Sequence, residues 1–433
     1  MFNKAAISSE QGNFHHLVRE IAWFGLALPA TARFLSVYAI RLDATTSELG
    51  WISSLPALVL LFSAALGSWW LHHYRNSVQA VFWPALAFRF IFLLPVFTPF
   101  LPVEWQPAWL ILSVTLPALP QGIASVVFVV MMREAVNKAQ LTSLLGKRAL
   151  AMNVCVAIGA LVFGLLLEKV AFPLNYQAMF VVAFVLALVS MLHIVRIRVN
   201  AAKTASQTIP QVTPEVLATA ATLPSRPVKK MSPWRARKFQ RVAIAAALLH
   251  LAFFSVFPIT PLYLMDKMNA SEGFMAIFAF AELAAAGAIA LLADRIVRHY
   301  GNPALMMLSI VSTGLASLII AFAPNLNVTL LAAALTGAGW TAAGIGLFSY
   351  FADHTPIEES TRYVTAYHQI IFLAMFIGPM LGTILANKGI NLALVLLIGS
   401  ILRIGSGLVI YFATEEHPRF HLPHTFAFAR MHK

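Results

Sequence analysis

Long apolar runs recur along this chain at a spacing that fits helices crossing a membrane. A spanning helix takes about 20 mostly apolar residues at 1.5 Å each. Such runs fall at 18–41, 47–71, 77–100, 106–131, 148–168 and 173–195, and again at 242–265, 272–293, 303–323, 327–351, 362–386 and 391–413. The pattern predicts an all-α polytopic membrane protein of about twelve transmembrane helices. It divides into an N-terminal six-helix bundle over 1–195, a cytoplasmic linker over 196–241, a C-terminal six-helix bundle over 242–413 and a cytoplasmic tail over 414–433. The first run is too long for the core of a cleaved signal peptide, so it is expected to be retained as a span.

Composition agrees with that pattern. Of 433 residues, 60% are hydrophobic and only 11% charged, with a mean hydropathy of +0.79. Soluble domains are nearer half apolar and a quarter charged, so lipid must solvate much of this surface. The net charge of +13 changes the picture only through its distribution. Of the 30 Lys and Arg, 23 fall in alternate gaps and the tail, 4 in the opposite gaps and 3 inside spans. The positive-inside rule then puts both termini in the cytoplasm of a multi-pass protein of the plasma (inner) membrane. A nucleic-acid partner is not expected, because no soluble basic domain exists to carry one.

Cys155 is the only cysteine, which excludes a disulfide within the chain. No GxxxxGK[ST] phosphate loop occurs, so ATP is not a direct drive. The tail histidines His417, His421, His424 and His432 are interrupted by prolines and lack acids between them, so neither a metal nor another cofactor is expected. The middle of the linker, rich in Ala, Thr and Pro, reads as flexible. After it, basic residues flank Trp234 and Phe239; these serve either as a segment attracted to anionic lipid or as a flank orienting the seventh span.

The two halves resemble each other. Span 2 ends in Gly67-Ser-Trp-Trp-Leu-His-His-Tyr-Arg75, and span 8 in Ala290-Leu-Leu-Ala-Asp294-Arg295-Ile-Val-Arg298, which sets Arg75 against Arg298. Duplication of this kind is the usual construction of secondary transporters.

These residues resemble the major facilitator superfamily, whose loop motif after spans 2 and 8 runs Gly-x-x-x-Asp-Arg-x-Gly-Arg-Arg or Lys. The second copy matches at Asp294, Arg295 and Arg298, with Ala290 and Val297 where the family prefers Gly. The first keeps Gly67 and Arg75, with Leu71 at the acidic position. Pro356-x-Glu358-Glu359-x-x-Arg362, Gly378-Pro379-x-x-Gly382 and Gly146-Lys147-Arg148 add support. The resemblance implies two pseudo-symmetric six-helix bundles that rock about a cavity lined by spans 1, 4, 7 and 10, with spans 5 and 8 meeting between the halves. It also implies that Asp294, Arg295, Arg298 and Arg75 gate the cytoplasmic side. The alternative is an ordinary interfacial ion pair worth at most about 1 kcal/mol.

Ionisable residues inside spans are costly and face a cavity or a partner. Arg33, Arg89, His250, Glu282, His368 and Arg403 stand out. By the resemblance, Arg33 and His250 belong to cavity helices. Arg33 either binds an anionic group bidentately or snorkels outward. His250 either exchanges protons or is a neutral imidazole held by a backbone carbonyl. His368 reads as structural. Glu282 is taken as the only acid inside any span, and as the proton-coupling candidate, with neutralisation of an Arg a compatible role. Arg89 and Arg403 lie near the middles of spans 3 and 12, which the resemblance places at the periphery, and turn either to carbonyls or to Glu282.

Gln121, Ser125, Tyr263, Trp340 and Tyr350 are candidates for the cavity wall. Pro117 and Pro120 in span 4, Pro258 and Pro261 in span 7, and four glycines in span 10 predict that these three helices bend. Gly159 and Gly164 in span 5, and Gly287 in span 8, predict close helix contact. Three Arg against one Glu tilt the substrate toward an organic anion. The expected function is a monomeric secondary active transporter of a small solute in the lipid bilayer, proton-coupled or uniporting. The alternatives are a multidrug or cation antiporter, a non-transporting sensor and a lipid-handling enzyme. The absence from span 5 of the Gly-Pro and Gly-Gly signature of drug-exporting relatives weighs against the first.

Overall fold

A computed structural model describes residues 2–199, 232–355 and 360–413; some side chains inside these ranges, among them those of residues 2–9 and 408–413 and of Asp294, Arg298 and Arg362, fall outside the description. Every predicted span is a helix. Span 1 comprises Phe2–Ala27, Pro29–Ala32 and Phe34–Arg41. Spans 2 and 3 are Thr46–Leu71 and Ser77–Leu93, the latter prolonged by a 3-10 stretch, Leu94–Phe100. Spans 4, 5 and 6 are Gln106–Ala135, Lys138–Lys169 and Leu174–Val195. Span 7 is Arg237–Ser255 followed by Ile259–Leu262 and a π turn, Tyr263–Lys267. Spans 8 to 12 are Glu272–Tyr300, Asn302–Phe322, Leu326–His354, Ser360–Asn387 and Leu392–Ala413. Ten of the described spans are long and apolar enough to cross a membrane. Span 1 begins polar, and the described apolar stretch of span 12, Leu392–Gly407, is shorter.

The packing repeats. Span 1 lies on spans 5 and 6, span 2 on span 4, and span 3 on spans 4 and 6. In the second half span 7 lies on spans 11 and 12, span 8 on span 10, and span 9 on spans 10 and 12. The same scheme thus recurs six spans later. Between the halves the extensive pairings are span 2 with span 11 and span 5 with span 8, which exchange under the same two-fold relation.

Small residues permit these approaches. A Cβ added at Gly164 would lie 2.2 Å from that of Ala276 on span 8, and one at Gly50 would lie 2.5 Å from the Thr383 hydroxyl on span 11. Gly159 faces span 1 instead, with the Leu26 carbonyl 2.4 Å from its would-be Cβ, and Gly287 faces open space. Of the three expected small-residue contacts, Gly164 therefore joins the halves and the other two do not.

Of the three helices expected to bend, span 7 breaks. Pro258 has no N–H for the Phe254 carbonyl, and Phe257 N bonds back to that oxygen at 3.2 Å. Spans 4 and 10 remain continuous. Span 1, by contrast, is jointed at Pro29 and again at Arg33, whose φ of −124° leaves the helical range. At the terminus-bearing end, the Asn13 side chain donates to the Ala135 and Arg198 carbonyls at 2.9 and 2.8 Å and accepts from Arg198 N at 2.9 Å, tying spans 1, 4 and 6 together. The duplicated loops differ locally. Arg75 sits in an exposed turn beyond span 2, whereas span 8 stays helical through position 298.

Candidate functional site

Arg33 stands at the joint between two short helices of span 1 and reaches into the other half. Its two terminal nitrogens donate to Glu282 Oε2 at 2.8 Å and Oε1 at 3.1 Å, a bidentate fork of the kind guanidinium and carboxylate favour. The Glu282 side chain is 12% exposed and that of Arg33 25%. Span 10 sets the position of Glu282, for a Cβ at Gly337 would fall 1.8 Å from the Glu282 carbonyl oxygen. Beside the pair lies a cavity of about 90 Å³, bounded by Arg33, Glu282 and Arg403 and by Phe253, Phe257 and Phe278. That volume holds several waters and so admits a small solute.

Arg403 turns inward to carbonyls, one of the two roles open to it. Its Nε donates to Ala252 O at 3.1 Å, one terminal nitrogen to Phe253 O at 2.8 Å, and the other to Thr313 O at 2.7 Å and Ser317 Oγ at 2.6 Å. Ala252 and Phe253 precede the break in span 7, where carbonyls lack their usual helical partners. A cation on span 12 thus satisfies the oxygens that the break exposes.

Arg89 follows a related plan in the first half. It donates to Ala85 O at 3.0 Å and to Ser190 Oγ on span 6 at 3.1 Å, and it pairs with Glu20 rather than Glu282. Glu20 corrects the expectation that Glu282 is the only acid inside a span. It is 3% exposed and also holds Arg148, at 2.9 Å. Its place beside Arg19, at the polar start of the apolar run, hides it from a search for charges inside spans. The available signal was helical phase, since Glu20 shares a face with buried Leu17 and half-buried Phe24.

The other candidates lie apart from the cavity wall. Half-buried Gln121 and exposed Ser125, whose hydroxyl donates to Gly122 O, are on span 4, which does not border it. His250 is buried, with Nδ1 2.8 Å from Ala246 O and its ring edge-on to Trp340 at 5.4 Å. Trp340 stacks on Phe253 at 4.1 Å and so backs one wall of the cavity. Tyr263 donates to Ala321 O at 3.4 Å near the end of span 7. Tyr350 belongs to a separate apolar cluster with Phe239 and Tyr363. His368 is exposed beside Tyr367 and Phe372. Arg75 and Arg295 are exposed, while the side chains of Asp294 and Arg298, residues 356–359 and the tail histidines lie outside the described residues. Near the linker, Phe239 is buried against Tyr363 and Trp234 is exposed.

A second cross-half cluster, missed in the sequence, closes the end of the bundle away from the termini. Arg41 on span 1 donates to Glu272 on span 8 at 2.6 and 2.9 Å. Tyr176 adds a hydroxyl at 3.4 Å to the same carboxylate and stacks on Tyr38 at 4.3 Å. Ser271 donates to Glu168 at 2.8 Å, and Asn387 donates to the Ser47 hydroxyl.

The family model of the Major Facilitator Superfamily matches residues 21–379 and 242–428. No curated protein matches the chain. Among solved structures, a peptide transporter POT in complex with sulfate is similar at 15% identity and a TM-score of 0.67, covering 92% of this chain and 93% of its own. The nucleoside transporter NupG is similar at 14% identity and a TM-score of 0.64, with coverages of 93% and 100%. The xylose transporter XylE from E. coli, in a partially occluded inward-open conformation, is similar at 13% identity and a TM-score of 0.65, with coverages of 94% and 100%. At these identities the likeness concerns the fold.

Proposed function

We propose that this chain, which belongs to the Major Facilitator Superfamily, is a proton-coupled transporter of a small organic anion that works by alternating access. The observation that carries the reading is the bidentate Arg33–Glu282 pair, which bridges the halves at the wall of a solute-sized cavity. A carboxylate that holds a guanidinium cannot also hold a proton without weakening its grip. Proton binding to Glu282 frees Arg33, and an anionic solute takes its place. Proton and anion then enter the site together, leaving its net charge unchanged. A proton alone is held poorly, because it would leave the freed guanidinium without a counter-charge in a poor dielectric.

The halves meet through Arg41, Glu272, Ser271 and Glu168 at the end away from the termini. That closure supports a form open toward the terminus-bearing side, which the charge distribution makes cytoplasmic. The protein acts in this reading as a monomer in the plasma (inner) membrane, with Asp294, Arg295, Arg298 and Arg75 gating the cytoplasmic side.

Reconstitution into liposomes with an imposed pH gradient tests it. Organic anions should accumulate against their gradient with the wild type. Glu282→Gln should lose accumulation yet keep counterflow exchange. Undiminished gradient-driven accumulation by that variant removes proton coupling through Glu282.

A further inference from the structure

We infer that the cavity beside Arg33 and Glu282 selects a monoanion with a flat apolar body, and that Arg403 fixes the sign of the charge it accepts. This rests on the transport reading for the cavity's role but not for its chemistry.

Arg33 and Glu282 cancel across their two hydrogen bonds. Arg403 borders the same cavity, and no carboxylate pairs with it among the described residues. Its donors go to Ala252 O, Phe253 O, Thr313 O and Ser317 Oγ, which leaves one N–H uncommitted. Those acceptors satisfy the fork's geometry without removing its unit charge, because they are dipoles. The cavity therefore carries one surplus positive charge in low-dielectric surroundings. One negative charge on the occupant compensates it, a neutral occupant leaves it, a cation adds to it and a dianion overshoots.

The rest of the wall decides the body. Phe253, Phe257 and Phe278 bound the space with Met275 and Ile320. Phe253 is clamped between Trp340 on one side and the Arg403 guanidinium, 5.0 Å from its centroid. The hydroxyls there are mostly spoken for. Thr260 donates to Val256 O at 3.1 Å and Thr336 to Ala332 O at 2.8 Å. A polyol would bring several hydroxyl oxygens to a wall with few free donors, and each unsatisfied group is penalised. A flat apolar ring meets only surfaces that suit it.

The test uses the purified full chain in nanodiscs, titrated calorimetrically with benzoate, benzyl alcohol, benzylamine and phthalate. Benzoate should bind at least tenfold more tightly than benzyl alcohol, with benzylamine and phthalate weaker still. Equal binding of the alcohol or the amine, or no binding of benzoate, overturns the inference. Arg403→Lys should preserve the benzoate preference and Arg403→Met should abolish it; if the latter does not fold, the wild-type series decides alone. Selective benzoate binding without proton-driven uptake would remove the transport reading and leave this one standing. Proton-driven uptake of a neutral or cationic solute, with benzoate unbound, would overturn this inference and the anionic substrate, leaving proton-coupled transport standing.

Discussion

Arg41 and Glu272 form a second rung parallel to the Arg33–Glu282 rung, with both guanidiniums on span 1 and both carboxylates on span 8. One rung lies at the cavity and the other at the closed end. Two stiff helices connect them, so releasing the inner rung loads the outer one alone with holding spans 1 and 8 together.

Glu272→Gln should therefore loosen the closed end. The Arg41 side chain is 47% exposed, which limits the pair to about 1 kcal/mol, or a factor of about five in the open population. A cysteine pair at Ser47 and Asn387, in a Cys155→Ser background, reports it. Cross-linking should fall several-fold on adding Glu272→Gln, and unchanged cross-linking would remove the latch role.

The Arg33–Glu282 pair should show unequal costs when its halves are deleted. Leaving one buried partner alone costs about 3–5 kcal/mol. Glu282→Gln strands a cation that cannot discharge, whereas Arg33→Ala strands an acid that can bind a proton. The penalty of Arg33→Ala should shrink as pH falls and that of Glu282→Gln should not. Thermal unfolding of the purified variants measures this, and the double variant should cost less than the sum.

Glu20→Gln should be among the most damaging single-atom changes in the first half. It leaves Arg89 and Arg148 without their shared carboxylate, at about 3–5 kcal/mol. Glu104→Gln, at an exposed position, should stay within about 0.5 kcal/mol. Similar melting temperatures for the two would refute the buried cluster.

Glycines with and without neighbours should separate cleanly. A Cβ at Gly382 would lie 1.8 Å from the Ser255 carbonyl oxygen, whereas Gly287 meets nothing within 4 Å. Gly382→Ala should destabilise by about 1–3 kcal/mol. Gly287→Ala should be neutral, or stabilising by up to about 1 kcal/mol through helix propensity.

His16 makes stability depend on pH near the terminus-bearing end. Its Nδ1 lies 3.1 Å from that of His193, and burial, then Arg196, Arg19 and His15, hold it below the ordinary histidine range. The unfolded chain therefore binds the proton more readily than the folded one. The contribution is present above about pH 6.5 and is lost as pH falls through the lower folded value. His16→Gln should flatten the melting temperature between about pH 5 and 7.

The twelve spans were legible because apolar length is a one-dimensional signal, and Arg33 and Glu282 stood out because charge inside such a run is rare. Their partnership was not legible. Span 1 meets span 8 only after both halves fold, and nothing local to either residue names the other. Glu20 was overlooked because it sits next to Arg19 where the run begins, and burial there depends on a helix that starts well before the apolar stretch. Pro258 signalled the break in span 7, but the same signal at Pro117 and Pro120 produced none. The carbonyls that Arg403 receives could not be guessed from span 12 alone.

That last contact has a consequence for biogenesis. Span 7 enters the membrane long before span 12 is synthesised, carrying a Phe253 carbonyl that hydrocarbon cannot solvate, whereas that of Ala252 has a local donor in the Ser255 hydroxyl. Until Arg403 arrives, water, lipid headgroups or a membrane chaperone must stand in for it. A nascent chain stopped after span 11 should accordingly be held by quality control as immature, because the C-terminal segment completes the fold of the half begun by span 7.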